Sequence, residues 1–139
     1  MALSNKNNDL NDRSAYYYRG QAHASEQKFN EALSDFTNAL KSKIGDSNIP
    51  NEELHFSLFR VELGLDNKQN ALGHINEVIE IDPDYESATL VRSQMEVSFG
   101  DMKSACVDAK NGKSTSSIPE LKDDLNKFKS AMLIECAKL

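Results

Sequence analysis

Side chains able to do chemistry are few in this chain and stand apart from one another. Three histidines, His23, His55 and His74, could in principle ligate a divalent metal or carry a proton. None has a second ligand at the spacing that zinc sites use, so no metal site is expected. The cysteines, Cys106 and Cys136, are too few for a disulfide framework and also lack metal-ligand spacing. Each falls in an expected helix, where a small buried thiol is the usual role, although the sequence leaves a bridge open if the last helix packs near Cys106. There is no glycine-rich phosphate loop, no G-x-S-x-G elbow and no paired catalytic carboxylate motif. With 22 acidic residues among 139, some carboxylates will be neighbours by chance. The reading is of a chain that is not an enzyme, holds no cofactor or metal, and works by binding.

Charge narrows what it could bind. A formal net charge of −6 works against a phosphate backbone, which needs clustered lysine and arginine, and the basic residues here are scattered singly, as at Lys28, Lys68 and Lys103. Nucleic acid is therefore not an expected partner. Neither is a membrane: no run of eighteen apolar residues occurs, and the first residues lack the apolar core of a signal peptide. As given, the chain reads as a soluble cytoplasmic one. If it is cut from a longer precursor, the missing signal says nothing, and the lumen of the endoplasmic reticulum is the alternative.

The elements that must position any site are helices. Proline and glycine are sparse, tryptophan is absent, and no stretch alternates with period two for long enough to suggest a sheet. Residues 1–11, rich in asparagine, read as a flexible tail, with Asp12 as N-cap of a helix over about 13–26. Further helices are expected at about 29–42, 51–65, 68–81, 84–98 and 101–112. The polar run Lys41 to Pro50, with Gly45 as breaker, forms the longest loop. Turns are expected near Gln27, at Asp66-Asn67 and at Gly100-Asp101, and Asp82-Pro83 ends the fourth helix. After a polar linker, Ser117-Ile118-Pro119-Glu120 has capping-box spacing, and Leu121, Leu125, Phe128 and Met132 stripe a last helix to about 138.

The helices repeat. Ala32 is matched by Ala71 and then Ala105, at intervals of 39 and 34 residues, and 34 is the tetratricopeptide period. The five extra residues belong in the Lys41–Pro50 loop. Tyr16, Gly20, Phe29, Ala32, Phe36 and Ala39 in the first unit carry the resemblance. So do Ala71, Ile75, Val78, Ile79, Ile81, Asp82 and Pro83 in the second, and Gly100, Asp101, Ala105 and Ala109 in the third. The chain resembles a tetratricopeptide repeat protein: an all-α solenoid of three helix-turn-helix repeats, about 13–46, 52–85 and 86–116, in one domain over 12–139 with a capping helix at about 118–138. Some positions depart from the pattern. Phe59 stands in the slot of Gly20, Arg19 and Arg92 stand where leucine is commoner, and Gly112 replaces an alanine.

The resemblance implies a binding groove lined by the first helix of each unit. On that register it would present Tyr17, Tyr18 and Gln21, then Phe56, Arg60 and Leu63, then Leu90, Val91 and Gln94, a mostly apolar set suited to a protein or peptide partner. Some members of the family clamp the acidic C-terminal tails of chaperones with lysine, asparagine and arginine. The matching slots here hold Tyr17, Gln21, Ser57, Ser87 and Val91, with no cation, so that ligand is disfavoured. A weaker resemblance, through Tyr16 to Arg19, Asp84-Tyr85, Ala88, Arg92, Gly100-Asp101, Ala105 and Asp108, is to the repeat block of the J-domain co-chaperones of the endoplasmic reticulum lumen. The expected function is binding of apolar peptide segments, co-chaperone-like, and the alternative is a scaffold segment of a longer solenoid.

Overall fold

A computed structural model describes residues 12–42 and 48–139; the expected tail and the centre of the long loop, with Gly45, lie outside the described residues. The fold is all-α. Its helices are α1 (Arg13–Ser25), α2 (Phe29–Lys41), α3 (Asn51–Gly64), α4 (Lys68–Ile81), α5 (Ala88–Ser98), α6 (Met102–Asn111) and α7 (Pro119–Cys136). The chain divides into two compact units, Met1–His74 and Ile75–Leu139, with the division inside α4.

Three times the chain makes the same turn. Gln27, Asp66 and Gly100 have φ of 61°, 61° and 79°, and the next residue's N–H bonds back to a carbonyl five positions earlier. These bonds are Lys28 to His23 (2.8 Å), Asn67 to Glu62 (2.8 Å) and Asp101 to Glu96 (2.9 Å). This is the Schellman ending of a helix, which satisfies carbonyls that the helix leaves unpaired. The three left-handed residues are spaced by 39 and 34, as are the three alanines, so backbone and sequence repeat in step.

In the first unit Tyr17, Ala32, Phe36, Ala39, Leu54, Leu58 and Val61 form the core. Gly20 admits Phe36: a Cβ there would lie 2.8 Å from the ring. Phe59, in the matching slot, is itself buried and sits 5.6 Å from Phe56, centroid to centroid. Asp12 caps α1 as expected, accepting from the Ala15 N–H at 3.0 Å. Arg13 is buried by satisfying carbonyls, donating to Ile49 O at 2.7 Å and Ser42 O at 3.2 Å.

The second unit departs from expectation at both ends of its first helix pair. The fifth helix begins at Ala88, not at 84, because Glu86 and Ser87 are left-handed (φ 45° and 60°). Their polar groups serve the linker instead. Ser87 Oγ accepts from the N–H groups of Thr115 (2.6 Å) and Ser116 (2.9 Å), and Glu86 Oε1 accepts from Ser117 N–H at 3.1 Å. That capture also removes the expected capping box, since α7 starts at Pro119 with Ile118 as an N-cap that makes no side-chain bond. Gly112 is needed where it stands, because a Cβ would meet Leu90 at 2.8 Å and the Asp108 carbonyl at 2.9 Å.

Cys106 and Cys136 are joined in a disulfide, the bridge that the sequence leaves open, and are not the two separate thiols of the usual reading. Ala105, Ala109 and Met132 form a small core with Phe128 against it, so α7 does close over α6. Leu125 is fully buried, but Leu121 is exposed and does not belong to the covering face.

Candidate functional site

Two clusters of charge stand out and both are structural. Arg19 grips Asp35 through Nε (3.0 Å) and a terminal nitrogen (2.6 Å), and His23 Nδ1 lies 2.8 Å from the same carboxylate. Arg92 grips Asp108 in the same way, at 2.7 and 2.8 Å, over the same sequence separation of 16. Asp35 and Asp108 are buried, so each pair ties the first helix of a unit to its second. Arg19 and Arg92, which stand where leucine was expected, are therefore explained by aspartates sixteen residues on. Burial disfavours the charge on Asp108, but the bonds from Arg92 outweigh it and hold the carboxyl below its usual range. Glu96 lies 3.8 Å from Arg92, and burial, then the neighbouring Asp108, pushes its carboxyl up to about 8. Its Oε1 is buried with no bonding partner. Arg92 is committed to Asp108 by two short bonds.

A cavity of about 380 Å³ lies between α1, α2 and α3. Phe29, Phe36, Val61 and Ala24 give it apolar walls, and Gln21, Ser25, Ser57 and Arg60 line it with polar groups. Arg60, exposed, is the single charged side chain in the lining. Gln21 is held in place: its amide donates to Tyr17 Oη at 2.5 Å, and that hydroxyl donates to Glu53 at 2.5 Å. Burial and then the Glu53 carboxylate raise the Tyr17 phenol, so it stays a donor. A cavity of this size, with apolar walls and a few polar groups, suits one or two side chains of a ligand.

The residues expected in the groove thus fall into separate classes. Gln21 and Arg60 line the cavity. Tyr18 and Leu63 are exposed on α1 and α3, and Phe56 is half-buried. Tyr17 is buried in the core and takes part only through its hydroxyl, because its ring packs 5.9 Å from Phe36. Leu90 has no exposed surface, which corrects its assignment to a groove: it fills the space that Gly112 leaves. Val91 is half-buried and Gln94 exposed on α5. Among the clamp slots, Ser57 and Ser87 are buried, and Ser87 is engaged with the linker. Phe29, Phe36 and Val61 line the cavity although the sequence reads them as ordinary core, whereas Ala24, Ser25 and Ser57 fall on the expected groove register.

No family model matches the chain, and no curated protein is similar to it at a significant level. Among the described residues no helix is long and apolar enough to cross a membrane.

Proposed function

We propose that this chain is a non-enzymatic protein-binding module of tetratricopeptide type, which holds a peptide segment of a partner in the cavity between α1, α2 and α3. The observation that carries the proposal is the cavity itself. Phe29, Phe36 and Val61 offer an apolar side chain a place to leave water, while Ser57, Ser25 and Arg60 can bond a peptide backbone beside it. Gln21 and Arg60 belong to the helices that the repeat pattern assigns to partner contact. Acidic tails remain a poor fit, since one arginine on a chain of net charge −6 does not make a clamp.

A co-chaperone-like role for this module draws support from the disulfide, which favours an oxidising compartment and hence the lumenal alternative. The scaffold reading has its own supporting observation. Ile118, Leu121, Leu133 and Ile134 of the last helix segment are exposed, as they would be if a further repeat packed on them.

The test is calorimetric titration of unfolded apolar client peptides into the full chain and into Ser25→Trp, which fills the cavity from an exposed position. Binding that is lost in the variant, with an unchanged thermal melt, is the expected result. Equal binding by both proteins would remove the cavity from the account and favour the scaffold.

A further inference from the structure

Among the described residues, Glu86 and Ser87 are the one place where two successive residues with side chains are both left-handed (φ 45°, ψ 39° and φ 60°, ψ 31°). Each such residue crowds its Cβ against the following carbonyl, so a pair persists only where its surroundings hold it. The local sequence asks for something else. Asp82 already accepts the Asp84 N–H at 3.0 Å and Pro83 suits the first position of a helix, so a cap and a start stand ready ahead of Ala88. A right-handed continuation would pair Ser87 N–H with Pro83 O and Ala88 N–H with Asp84 O. These groups are satisfied otherwise. Thr89 Oγ1 donates to Pro83 O at 3.0 Å, and the Thr115 hydroxyl accepts from Ser87 N–H at 2.9 Å while donating to Asp84 O. One hydroxyl of the linker thus stands in for two links of the helical ladder. In return, Ser87 Oγ takes the N–H groups of Thr115 and Ser116, and Glu86 Oε1 takes that of Ser117.

We propose that Asp84–Ser87 is a two-state hinge that couples the length of α5 to the seating of α7. Clasped by the linker, it is left-handed and α5 begins at Ala88; released, it closes a right-handed turn and α5 runs from Pro83 to Ser98. The two states exchange one set of hydrogen bonds for another, and release also relieves both left-handed residues, so an outside contact can shift the balance. The consequence falls on α7. A right-handed turn carries Ser87 Oγ and Glu86 away from the linker, which takes the acceptors from Ser116 and Ser117 and frees the segment leading into Pro119. Leu125, Met132 and the bridge to Cys136 still hold the rest of α7, so release loosens its first turns and no more. A contact that draws the linker, or the exposed Ile118 and Leu121, away from α5 therefore lengthens α5. By reciprocity, a contact that favours the longer α5 loosens the start of α7. The hinge holds whether or not the cavity between α1, α2 and α3 takes a peptide.

The experiment is NMR of the full chain and of Thr115→Val, which keeps the shape of the side chain and removes the hydroxyl that bridges Ser87 and Asp84. Cα shifts of residues 84–87 should turn helical and the Ser87 and Ala88 amides should stay protected in the variant. Exchange at Ser116, Ser117 and Lys122 should quicken roughly ten-fold or more, with Leu125 to Met132 as in the wild type. A loosened linker with no helix at 84–87 would overturn the proposal, as would unchanged spectra in both segments. Should the variant fold poorly, saturation-transfer spectra of the wild type decide instead. Residues 84–87 and 115–117 should then share one exchange rate and a minor state with helical shifts at 84–87; separate rates, or no such minor state, would overturn it.

Discussion

Arg92, Asp108 and Glu96 show how single residues set the local balance. Two carboxyls share one guanidinium, and Asp108 makes the short bonds, so Glu96 is the one that keeps a proton. The folded form holds that proton between the ordinary carboxyl range and about pH 8, whereas the unfolded chain has released it. Stability therefore falls as pH rises through that window and levels off above it. Glu96→Gln, which is always neutral, should flatten this decline in denaturant melts at pH 5, 7 and 9; equal slopes for variant and wild type would show that Glu96 is ionised in the fold. Removing one partner of the buried pair should be costly, with Arg92→Leu losing about 3 kcal/mol because Asp108 is left uncompensated. The double variant Arg92→Leu/Asp108→Ala should recover most of that loss in the same melts, and a loss equal to the sum of two single effects would deny the pairing. Both arginines were visible in the sequence as departures from a pattern. Their partners were not, because a carboxylate sixteen residues away is one among many until the helices are folded together.

At the scale of elements, most helices could be read from apolar spacing and turn residues, and α1, α2, α3, α4 and α6 lie within one residue of the ranges expected. The start of α5 could not. Pro83 can open a helix, but Asp84 to Ser87 instead bond the linker at Thr115 to Ser117, a contact across about thirty residues that no local signal carries. Ser87→Ala removes the oxygen that accepts both linker N–H groups and should cost about 1–3 kcal/mol through two unsatisfied donors. Hydrogen exchange should then quicken at Thr115 and Ser116, and unchanged protection there would contradict this account. The helix α7 is held both by Leu125 and Met132 and by the disulfide. Reduction of a bridge closing a loop of this length should lower stability by about 2–4 kcal/mol. The measurement is a denaturant melt with and without reductant, and coincident curves would mean that packing alone holds α7.

On the scale of the whole chain, the repeat carries the account. Alanines and left-handed turn residues recur at intervals of 39 and 34, and the Arg–Asp pair of the first repeat returns in the third, so the helix-turn-helix order is legible in the sequence. The site was legible only in part. Gln21 and Arg60 follow from the register, but Leu90 was misplaced because Gly112, and not a larger residue, stands opposite it, a fact of packing that periodicity does not encode. The measurement that most directly tests the central claim is amide NMR mapping of the full chain titrated with an apolar, uncharged peptide. Shifts should concentrate at Gln21, Ser25, Ser57 and Arg60, saturate together, and disappear in Ser25→Trp. Shifts confined to α5–α7, or none at peptide concentrations where the chain remains folded, would contradict a peptide-binding cavity between α1, α2 and α3.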